Sequence, residues 1–542
     1  MRKHHFILIG IFLLACIIRL WSLETLPANF HEDEVLVGYV GRFIVEFGRD
    51  VYGNAWPMWY FDKFGDYYII GPFYLSGLAT LVWGMTAFAV RFPTAFLSAL
   101  TVLPLYGFTE KLSSNRRIAL LAAFFLAILP WHVVLSRSSA EGVLGAFFSM
   151  TGLYFLISSL QKNTVRSLLM ALIAALAGYW IYHPYRVYAP FFFLGFAIIF
   201  YKKFARINTR LMLALCILTT LGLTVWISTT AWGRGRLTQT SIFGEISGVG
   251  RITQELIYTT KSNNLYFVRA LHNKPINFAR EFIRQYVSYF NPQFLFFDVW
   301  GEKYKVPQHG LLYLSFGVFL LVFLLTLHTQ LSDKTKIRSM LFYLMALSFT
   351  LVPAAMTYIG SPNINRSAMF GVLLMPACGY GAYALLQYRN RIPALLLTGI
   401  LCLEMISFGS VYYFNMDSVN ALRRQDGVKE LVKYIALHPN VDFYVPSYNT
   451  FGIYYPFYMN LLRESFVTAY RQEVRIDRID NVHFYDVSFC PSDENVLNVQ
   501  PGDMIAVSYT CGDAAQVKKF TLRAKIIGVD SLLGYRVYER LP

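Results

Sequence analysis

The sequence predicts a polytopic α-helical membrane protein with about eleven transmembrane helices, interfacial helices and a small C-terminal α/β domain. The 542 residues are 56% hydrophobic, 17% aromatic and only 15% charged, a composition unlike that of a soluble domain. Apolar runs of about 20 residues recur, each long enough to cross a hydrocarbon core about 30 Å thick. Lysines and arginines concentrate in the short loops between the runs. This placement indicates membrane topology rather than nucleic-acid binding.

The charge of the loops predicts the orientation of each span. Six basic clusters are expected in the cytoplasm, namely Arg2/Lys3, Lys111/Arg116/Arg117, Lys162/Arg166, Lys202/Lys203/Arg206/Arg210, Lys334/Lys336/Arg338 and Arg389/Arg391. An even number of crossings must separate neighbouring clusters. The spans then lie near 6–21, 91–110, 117–135, 142–160, 167–182, 187–201, 211–230, 310–328, 339–358, 368–387 and 392–413. If a twelfth apolar segment, from Tyr67 to Gly84, crossed the membrane, the 111–117 cluster would lie outside the cytoplasm. We therefore expect this segment to be a helix lying partly in the outer interface.

This topology puts three pieces outside the membrane: residues 22–90, residues 231–309, and the chain after 414. The tail changes from a helical to a strand-like pattern in "VKELVKYIALHPNVDFYVPSYN", and "AKIIGVDSLLGYRVYE" indicates two strands around a turn. We therefore expect a membrane domain over 1–414 and an extracytoplasmic α/β domain over 415–542. Cys490 and Cys511 lie in the tail, and sequence alone leaves open whether they pair.

Three consecutive acids, Glu32, Asp33 and Glu34, stand at the start of the first external piece. They open an amphipathic helical pattern with Gly48 as its stop, carried by Val35, Tyr39, Phe43 and Phe47. Acids at a helix N-terminus are also favoured simply by the macrodipole, at about 0.3 to 1 kcal/mol each. The functional interpretation is a general base at the outer membrane surface, taking a proton from an attacking hydroxyl or amine.

Several motifs around and after these acids resemble those of a known enzyme class. They are "FHEDE", "FGRDVYGNAWPMWYFDKFGDYYIIGPFYLSGLATLVWG", "RFPTAFLSALTVLPLYGFTEKL", "LPWHVVLSRSSAEGVLGAFF", "YVSYFNPQFLFFDVWGEKYKVPQHGLLY" and "SPNINRSAMFGVLLMPACGYG". In order, over roughly residues 1–415, they resemble the GT-C glycosyltransferases of the protein O-mannosyltransferase and lipid A aminoarabinose transferase type. The resemblance implies a GT-C fold, a polyprenyl-phosphate sugar donor and single displacement with inversion. It also implies that Asp33 is the catalytic aspartate and Glu34 the second acid of the pair.

Displacement at the anomeric carbon releases a polyprenyl phosphate, whose negative charge needs fixed cations at the outer mouth. The candidates for binding the donor phosphate or substrate are Lys63, Arg137, Glu141, Arg186 and Arg366. A snorkelling anchor is the alternative for the cations, and helix capping after Ser138 and Ser139 is the alternative for Glu141. The family carries an Arg or a His-x-x-Arg near Arg366, and here Asn363 replaces the histidine.

The remaining expectations concern partners and other functions. The basic, aromatic segment 231–309 is suited to binding lipid headgroups. Asp298 and His309 could pair across the end of this segment. No residue spacing predicts a metal site or a cofactor. The expected partners are the lipid-linked donor, an extracytoplasmic acceptor and membrane lipids, in a prokaryotic cell membrane and with the site outside. The alternatives are a transporter or flippase of lipid-linked sugars, for which Glu404 is the one clear acid deep in a span, and a non-catalytic scaffold. The sugar and the acceptor stay open.

Overall fold

The structure is a computed structural model of the whole chain. It describes residues 2–63, 66–161, 164–204, 206–244, 247–258, 265–297, 304, 306–332, 336–358, 360–416, 427–447, 451–467, 478–486, 499–509, 511, 519–528 and 531–542.

Helices dominate the described chain up to residue 414. In order they are α1 Arg2–Leu20, α2 Glu32–Phe47, α3 Gly71–Trp83, α4 Ala87–Leu100, α5 Val102–Ser113, α6 Arg116–Ile128, α7 Pro130–Ser136, α8 Glu141–Ser158, α9 Thr164–Tyr179, α10 Tyr185–Phe200, α11 Ile207–Thr229, α12 Ala231–Thr240, α13 Val249–Tyr258, α14 Leu265–Leu271, α15 Lys274–Ser288, α16 Leu314–Ser332, α17 Ile337–Phe349, α18 Val352–Ala355, α19 Ala368–Gln387 and α20 Ile392–Phe414. A 3-10 turn covers Tyr201–Lys203 and a π-helical turn covers Gln293–Phe297.

The lengths of these helices confirm a multi-pass membrane fold. Within the described residues, eight segments are individually long and apolar enough to span a bilayer, and α6 with α7, bent by 54°, would make a ninth. The two other predicted spans, near 167–182 and 187–201, correspond to α9 and α10, of 16 residues each. Each of the eleven predicted spans therefore has a helix at its position.

The segment from Tyr67 to Gly84 differs in part from its predicted form. Its first residues belong to a strand, because β1 Tyr60–Lys63 and β2 Asp66–Ile69 form an antiparallel hairpin with Lys63 opposite Asp66. The helix α3 starts only at Gly71 and has 13 residues. At about 1.5 Å per residue it is too short to cross the hydrocarbon core, as the loop-charge argument required.

The chain forms two compact units. The bundle unit comprises Met1–Trp21, Trp59–Ile69 and Thr94–Ser410, and the sheet unit comprises Ser22–Met58, Ile70–Pro93 and Val411–Pro542. The tail, α2 and α3 are therefore parts of one unit. Most membrane-spanning helices belong to the bundle unit.

The tail contains the expected α/β pattern. Its helices are α21 Val428–Ala436 and α22 Phe451–Tyr458, and its strands are β3 Phe443–Ser447, β4 Arg478–Ile479, β5 Val482–Asp486, β6 Met504–Ser508, β7 Phe520–Ile527 and β8 Leu533–Arg540. The strands make one sheet in the order β4-β5-β3-β6-β8-β7. In it, β3 runs parallel to β5 and β6 while β7 and β8 pair antiparallel. Cys511 is disulfide-bonded, and Cys490 lies outside the described residues.

Within the sheet unit, α2 packs on both α3 and α22. The contact with α3 is close because Gly41 and Gly77 face each other, and a Cβ on either would strike backbone of the other helix. On the tail side, Tyr39 donates a hydrogen bond to the Leu461 carbonyl, at 3.2 Å. The apolar stripe of α2 is thus buried against protein, with Tyr39 and Phe43 fully enclosed.

Candidate functional site

The acidic end of α2 is a well-formed helix start. His31 is the N-cap in extended conformation, and its Nδ1 accepts the Asp33 backbone N–H at 3.2 Å. In return Glu34 Oε2 accepts the His31 backbone N–H at 3.1 Å, which completes a capping box. Gly48 ends the helix in the left-handed conformation, with φ of 67°. The predicted limits of this helix are therefore confirmed.

Glu34 is held in a buried ion pair with Arg91. Arg91 Nε donates to Glu34 Oε1 at 2.9 Å, and only 1% of the arginine side chain and 3% of the glutamate side chain are exposed. The other guanidinium nitrogens of Arg91 donate to the carbonyls of Leu23, at 3.1 Å, and Asn29, at 2.7 Å. Arg91 therefore fixes the chain that leads into α2 as well as the glutamate itself, so Glu34 positions the helix start.

Asp33 differs from Glu34 in its surroundings. Its side chain is 28% exposed, and its Oδ2 lies 3.4 Å from His31 Nδ1. Asp33 sits in the first turn, where the helix dipole favours the ionised carboxylate. Of the two acids expected to act in catalysis, Asp33 is the one that presents its carboxylate to solvent.

In the bundle unit, the turn between α9 and α10 connects the Lys63 hairpin to Arg186. His183 Nε2 lies 3.2 Å from the Tyr67 carbonyl oxygen, and His183 Nδ1 lies 3.2 Å from Arg186 Nη1. A guanidinium can only donate, so Nδ1 is the acceptor and Nε2 carries the proton. Burial, with a further contribution from Arg186, lowers the pKa of His183 to about 3. His183 is therefore neutral and ties β2 to the start of α10.

Arg186 is buried in an aromatic setting. Its Nε donates to the Tyr179 carbonyl at 3.2 Å, and the guanidinium lies over the Trp232 ring, 5.0 Å from the centroid. Trp232 in turn stacks with Tyr60 of the hairpin, at a centroid distance of 5.5 Å. The Nη2 atom of Arg186 is buried and has no hydrogen-bond partner among the described residues. A buried cationic donor of this kind suits an anionic ligand.

Glu141 and Arg366 lie on two segments in direct contact. Glu141 is the first residue of α8, and the next backbone N–H, of Gly142, donates to the Asn365 side-chain oxygen at 2.8 Å. Both Glu141 and Arg366 interact electrostatically with the Tyr182 hydroxyl. The N-cap of α8 is Ala140, which makes no side-chain cap bond.

Tyr289, which follows α15, connects the same region to the 231–309 segment. The Asn363 backbone N–H donates to the Tyr289 hydroxyl at 3.2 Å, and burial raises the pKa of this phenol while Arg366 opposes the rise. Arg366 Nη1 donates to the Thr357 hydroxyl at 3.0 Å. The Asn363 side-chain oxygen accepts the Arg366 backbone N–H at 3.1 Å and so shapes this loop.

Arg137 is placed differently from the other cations. It is fully buried and its Nη1 donates to the carbonyls of Ile18, at 3.1 Å, and Arg19, at 2.8 Å. It therefore supports the C-terminal end of α1, and its role toward the donor stays a prediction. Asp298, named with His309 as a pair that could form across the loop, lies outside the described residues. His309 Nδ1 lies 2.8 Å from the Pro307 carbonyl.

The sequence reasoning missed Arg91 in the sheet unit, and in the bundle unit it missed Tyr289 and the positioning contacts of His183. Arg91 could have been found as an arginine at the predicted outer end of the span that follows the three consecutive acids. Tyr289 gave no such signal, because the segment around it is rich in aromatic residues throughout. Among the residues that the structure describes, no group of three or more His, Cys, Asp or Glu is placed to hold a metal ion.

Comparison with known proteins agrees with this fold. Residues 70–232 match the family model described as dolichyl-phosphate-mannose-protein mannosyltransferase. No curated protein matches the chain by sequence. ArnT from Cupriavidus metallidurans in the apo state is similar in structure, with a TM-score of 0.54 and 11% identity, covering 98% of this chain and 97% of that chain. ArnT from the same organism bound to undecaprenyl phosphate gives a TM-score of 0.52 with 12% identity, at 98% and 97% coverage.

The archaeal oligosaccharyltransferase AglB from Archaeoglobus fulgidus, in complex with an inhibitory peptide and a dolichol-phosphate, matches with a TM-score of 0.47 and 13% identity. The match covers 85% of this chain and 64% of AglB, so the chain spans less than two thirds of that protein's length. The resemblance to the GT-C glycosyltransferases, the class of AglB and ArnT, is confirmed by the family match and the shared ArnT fold.

Proposed function

We propose that this chain, which has the fold of the GT-C glycosyltransferases, moves a sugar from a polyprenyl-phosphate carrier to an extracytoplasmic acceptor, with Asp33 as general base. The observation that carries the proposal is the different burial of two adjacent acids at the start of α2. Glu34 is buried in an ion pair with Arg91, while the neighbouring Asp33 stays partly exposed on a helix start fixed by that pair. A base must be rigidly placed and yet accessible to the acceptor.

The reaction is a single displacement with inversion at the anomeric carbon. The acceptor hydroxyl or amine gives its proton to the Asp33 carboxylate as its oxygen or nitrogen forms the new bond to the anomeric carbon. The bond between that carbon and the carrier phosphate oxygen breaks, and the electron pair leaves with the phosphate. A polyprenyl phosphate is a good leaving group once cations offset its charge, so this side of the reaction needs no general acid.

The donor phosphate is held by cationic residues of the bundle unit, with Arg186 and Lys63 as the first candidates and Arg366 and Arg137 as the others. Glu141 completes the predicted set as an acid that positions the donor or supports Lys63. Arg186 is supported by its buried Nη2, which has no partner among the described residues. Lys63 is supported by the hairpin that His183 ties to Arg186 through the Tyr67 carbonyl. The undecaprenyl phosphate bound to ArnT, a protein of the same fold, supports a polyprenyl phosphate as the ligand of these cations.

The proposed arrangement has a membrane domain over 1–414, an extracytoplasmic domain over 415–542, and the acidic end of α2 on the outer side. The contacts of α22 with α2 support a role of the C-terminal domain beside the acceptor. Tyr454 of α22 donates to the Phe30 carbonyl at 2.7 Å, immediately before the capped start of α2. The sheet domain would therefore help shape the acceptor entrance next to Asp33.

The test is a transfer assay with the purified protein and a panel of radiolabelled polyprenyl-phosphate sugars. Asp33→Asn should lower turnover by about 10² to 10⁴, the usual contribution of a general base, with undecaprenyl phosphate binding unchanged. Glu46→Gln, a carboxylate at the other end of α2 in an exposed pair with Arg42, is the matched control. Full turnover by Asp33→Asn, or no transfer and no binding with any donor, would reject the assignment.

The same preparation tests the donor site through binding alone. Arg186→Gln should weaken the binding of undecaprenyl phosphate by about tenfold or more, because a hydrogen bond to a charged group contributes about 1.5 to 3 kcal/mol. Arg186→Lys should restore only part of the affinity, since an ammonium lacks the planar fork that stacks on Trp232. Unchanged affinity in Arg186→Gln would remove Arg186 from the donor site while leaving the role of Asp33 untouched.

A further inference from the structure

A basic cavity lies in the bundle unit at the end where α1 begins, α5 ends, α6 begins and α8 ends. Its volume is about 660 Å³. The lining residues are His4, Glu110, Lys111, Ser114, Asn115, Arg116, Arg117 and Gln161. None of these residues belongs to the candidate site for glycosyl transfer, so the proposed reaction leaves the cavity unexplained.

The lining carries an excess of positive charge. Three cations, Lys111, Arg116 and Arg117, face a single carboxylate, Glu110, so the net charge is positive by two with His4 neutral. Arg116 Nε pairs with Glu110 at 2.8 Å. That pair engages Glu110, the only acid among the described residues of the lining.

The two other cations keep their charge available. Lys111 Nζ donates to the neutral Gln161 side chain at 2.7 Å. The Arg117 side chain is exposed and makes no ion pair with any residue that the structure describes. The Nδ1 atom of His4 is buried and unpartnered within the same described set. The cavity therefore offers an ammonium, a guanidinium and an orphaned ring nitrogen to one occupant, next to the N-terminus of α6, which also favours an anion.

The position of the cavity indicates which kind of ligand it binds. Its cations form one of the clusters that the loop charges place in the cytoplasm, and the ends of α1 and α8 bring two further predicted cytoplasmic loops to the same place. This face meets the anionic headgroups of the inner leaflet. Basic pockets between transmembrane helices on the cytoplasmic side are typical binding sites for anionic phospholipid headgroups. A free anion would have to bind from bulk solution without an acyl chain to anchor it.

We propose that this cavity binds the phosphate of an anionic phospholipid of the cytoplasmic leaflet, on the opposite side of the membrane from the glycosyl-transfer site. The headgroup phosphate pairs with the Lys111 and Arg117 cations. The acyl chains of the lipid lie along the apolar surfaces of the helices that frame the opening. Such a lipid would hold the ends of α1, α5, α6 and α8 together. The inference does not depend on the reaction that the other side catalyses.

The test is native mass spectrometry of the full-length protein in detergent, titrated with phosphatidylglycerol and separately with phosphatidylcholine. The wild-type protein should retain phosphatidylglycerol preferentially. Arg117→Gln should weaken its binding by about tenfold, since one charge-assisted contact is lost, and Lys111→Gln should do so independently. Arg117→Gln removes an exposed side chain, so we expect it to fold normally.

The matched control is Arg391→Gln, an exposed arginine of another predicted cytoplasmic cluster that does not line the cavity. It should leave phosphatidylglycerol binding unchanged. Equal retention of the two lipids by the wild type, or equal losses in Arg117→Gln and Arg391→Gln, would overturn the proposal. Displacement of phosphatidylglycerol by millimolar inorganic phosphate would also overturn it, because the cavity would then be a site for a free anion.

Discussion

At the scale of single residues, burial separates two adjacent carboxylates that the sequence presents as equivalent. Glu34 has both oxygens engaged, by Arg91 and by the His31 backbone N–H, and is almost fully enclosed. Removing one partner of a buried pair usually costs about 3 to 5 kcal/mol, because the other charge stays buried alone. Glu34 is thus expected to act through stability and geometry. The proposal of Asp33 as the base follows from the burial of Glu34 against Arg91.

The protonation state of His183 is a second property decided at the scale of single residues. Its ring is neutral because Nδ1 faces the Arg186 guanidinium and the ring is buried. A protonated ring would place two cations 3.2 Å apart, nitrogen to nitrogen, in a region with little solvent. The neutral tautomer also keeps the donor to the Tyr67 carbonyl, which positions the hairpin that carries Lys63.

This geometry predicts a pH dependence of stability. The pKa of His183 is depressed from 6.5 to about 3 in the folded state. Between these two pH values, His183 binds a proton in the unfolded chain but not in the folded chain. The free energy of unfolding should therefore fall as the pH drops from about 6.5 towards 3. Thermal unfolding of the detergent-solubilised protein at several pH values in this range measures the slope.

His183→Gln can keep one donor and one acceptor but cannot titrate, so its slope should be shallower than that of the wild type. His328→Gln, which changes an exposed histidine of α16, is the control and should keep the wild-type slope. Identical slopes for the wild type and His183→Gln would show that protonation of His183 does not oppose folding.

At the scale of elements, Pro130 explains the break between α6 and α7. Arg19 donates hydrogen bonds to carbonyls at this break. Proline has no backbone N–H, so the carbonyl of Leu126, four residues earlier, loses its helical donor. Arg19 of α1 supplies the missing hydrogen bonds, with Nη2 3.1 Å from the Leu126 oxygen and Nη1 2.9 Å from the Ala127 oxygen. The buried Arg19 guanidinium thus bonds to backbone carbonyls of α1 and α6, and its Nη2 also lies 2.9 Å from His132 Nδ1.

Glu404, the one clear acid deep in a predicted span, also has a role within the fold. Its carboxylate accepts the backbone N–H groups of Leu314, at 2.6 Å, and Ser315, at 3.3 Å, and the Ser315 hydroxyl at 2.6 Å. It therefore caps the start of α16 from α20. Intramembrane acids often mark the ion path of a transporter, and this one is used as a helix cap.

The crossing of α2 and α3 leads to a prediction for Gly41. A Cβ at this position would overlap the Phe73 carbonyl and the Gly77 backbone nitrogen. Gly41→Ala should destabilise the protein by about 1 to 3 kcal/mol, the usual cost of overpacking, and should lower transfer activity by shifting the acidic end of α2. Thermal unfolding together with the transfer assay measures both effects.

Gly399→Ala on α20 is the control, because a Cβ there meets nothing within 4 Å. It should be neutral or slightly stabilising, since alanine favours a helix by about 1 kcal/mol over glycine. If Gly41→Ala proves as stable and as active as Gly399→Ala, close packing of α2 on α3 does not set the position of Asp33.

At the scale of the whole molecule, the membrane topology is the expectation on which the proposed function depends. The proposed function requires the acidic end of α2 outside the cytoplasm, and the loop charges predict that the region of Arg117 lies inside. A membrane-impermeant maleimide added to intact cells should label Glu32→Cys and spare Ser114→Cys. Permeabilised cells should show labelling at both positions, with the wild-type chain as the background.

Labelling of Glu32→Cys only after permeabilisation would place the acidic helix inside the cell, and the proposed function would fail while the inner-leaflet site, tested at Ser114→Cys, would stand. Labelling of Ser114→Cys in intact cells would remove the lipid site alone. The two positions therefore separate the failure of one proposal from the failure of the other.

The sequence by itself determined the class of the fold, the positions of the helices and the limits of α2. Those features depend on local signals, because the length of an apolar run is set by the bilayer and the ends of a helix are set by neighbouring residues such as His31 and Gly48. The tertiary structure alone decided which acid is buried, since the partner of Glu34 lies 57 residues away. It also decided that His183 is neutral and that Glu404 is a cap, because these properties arise from contacts between distant segments that no local pattern encodes.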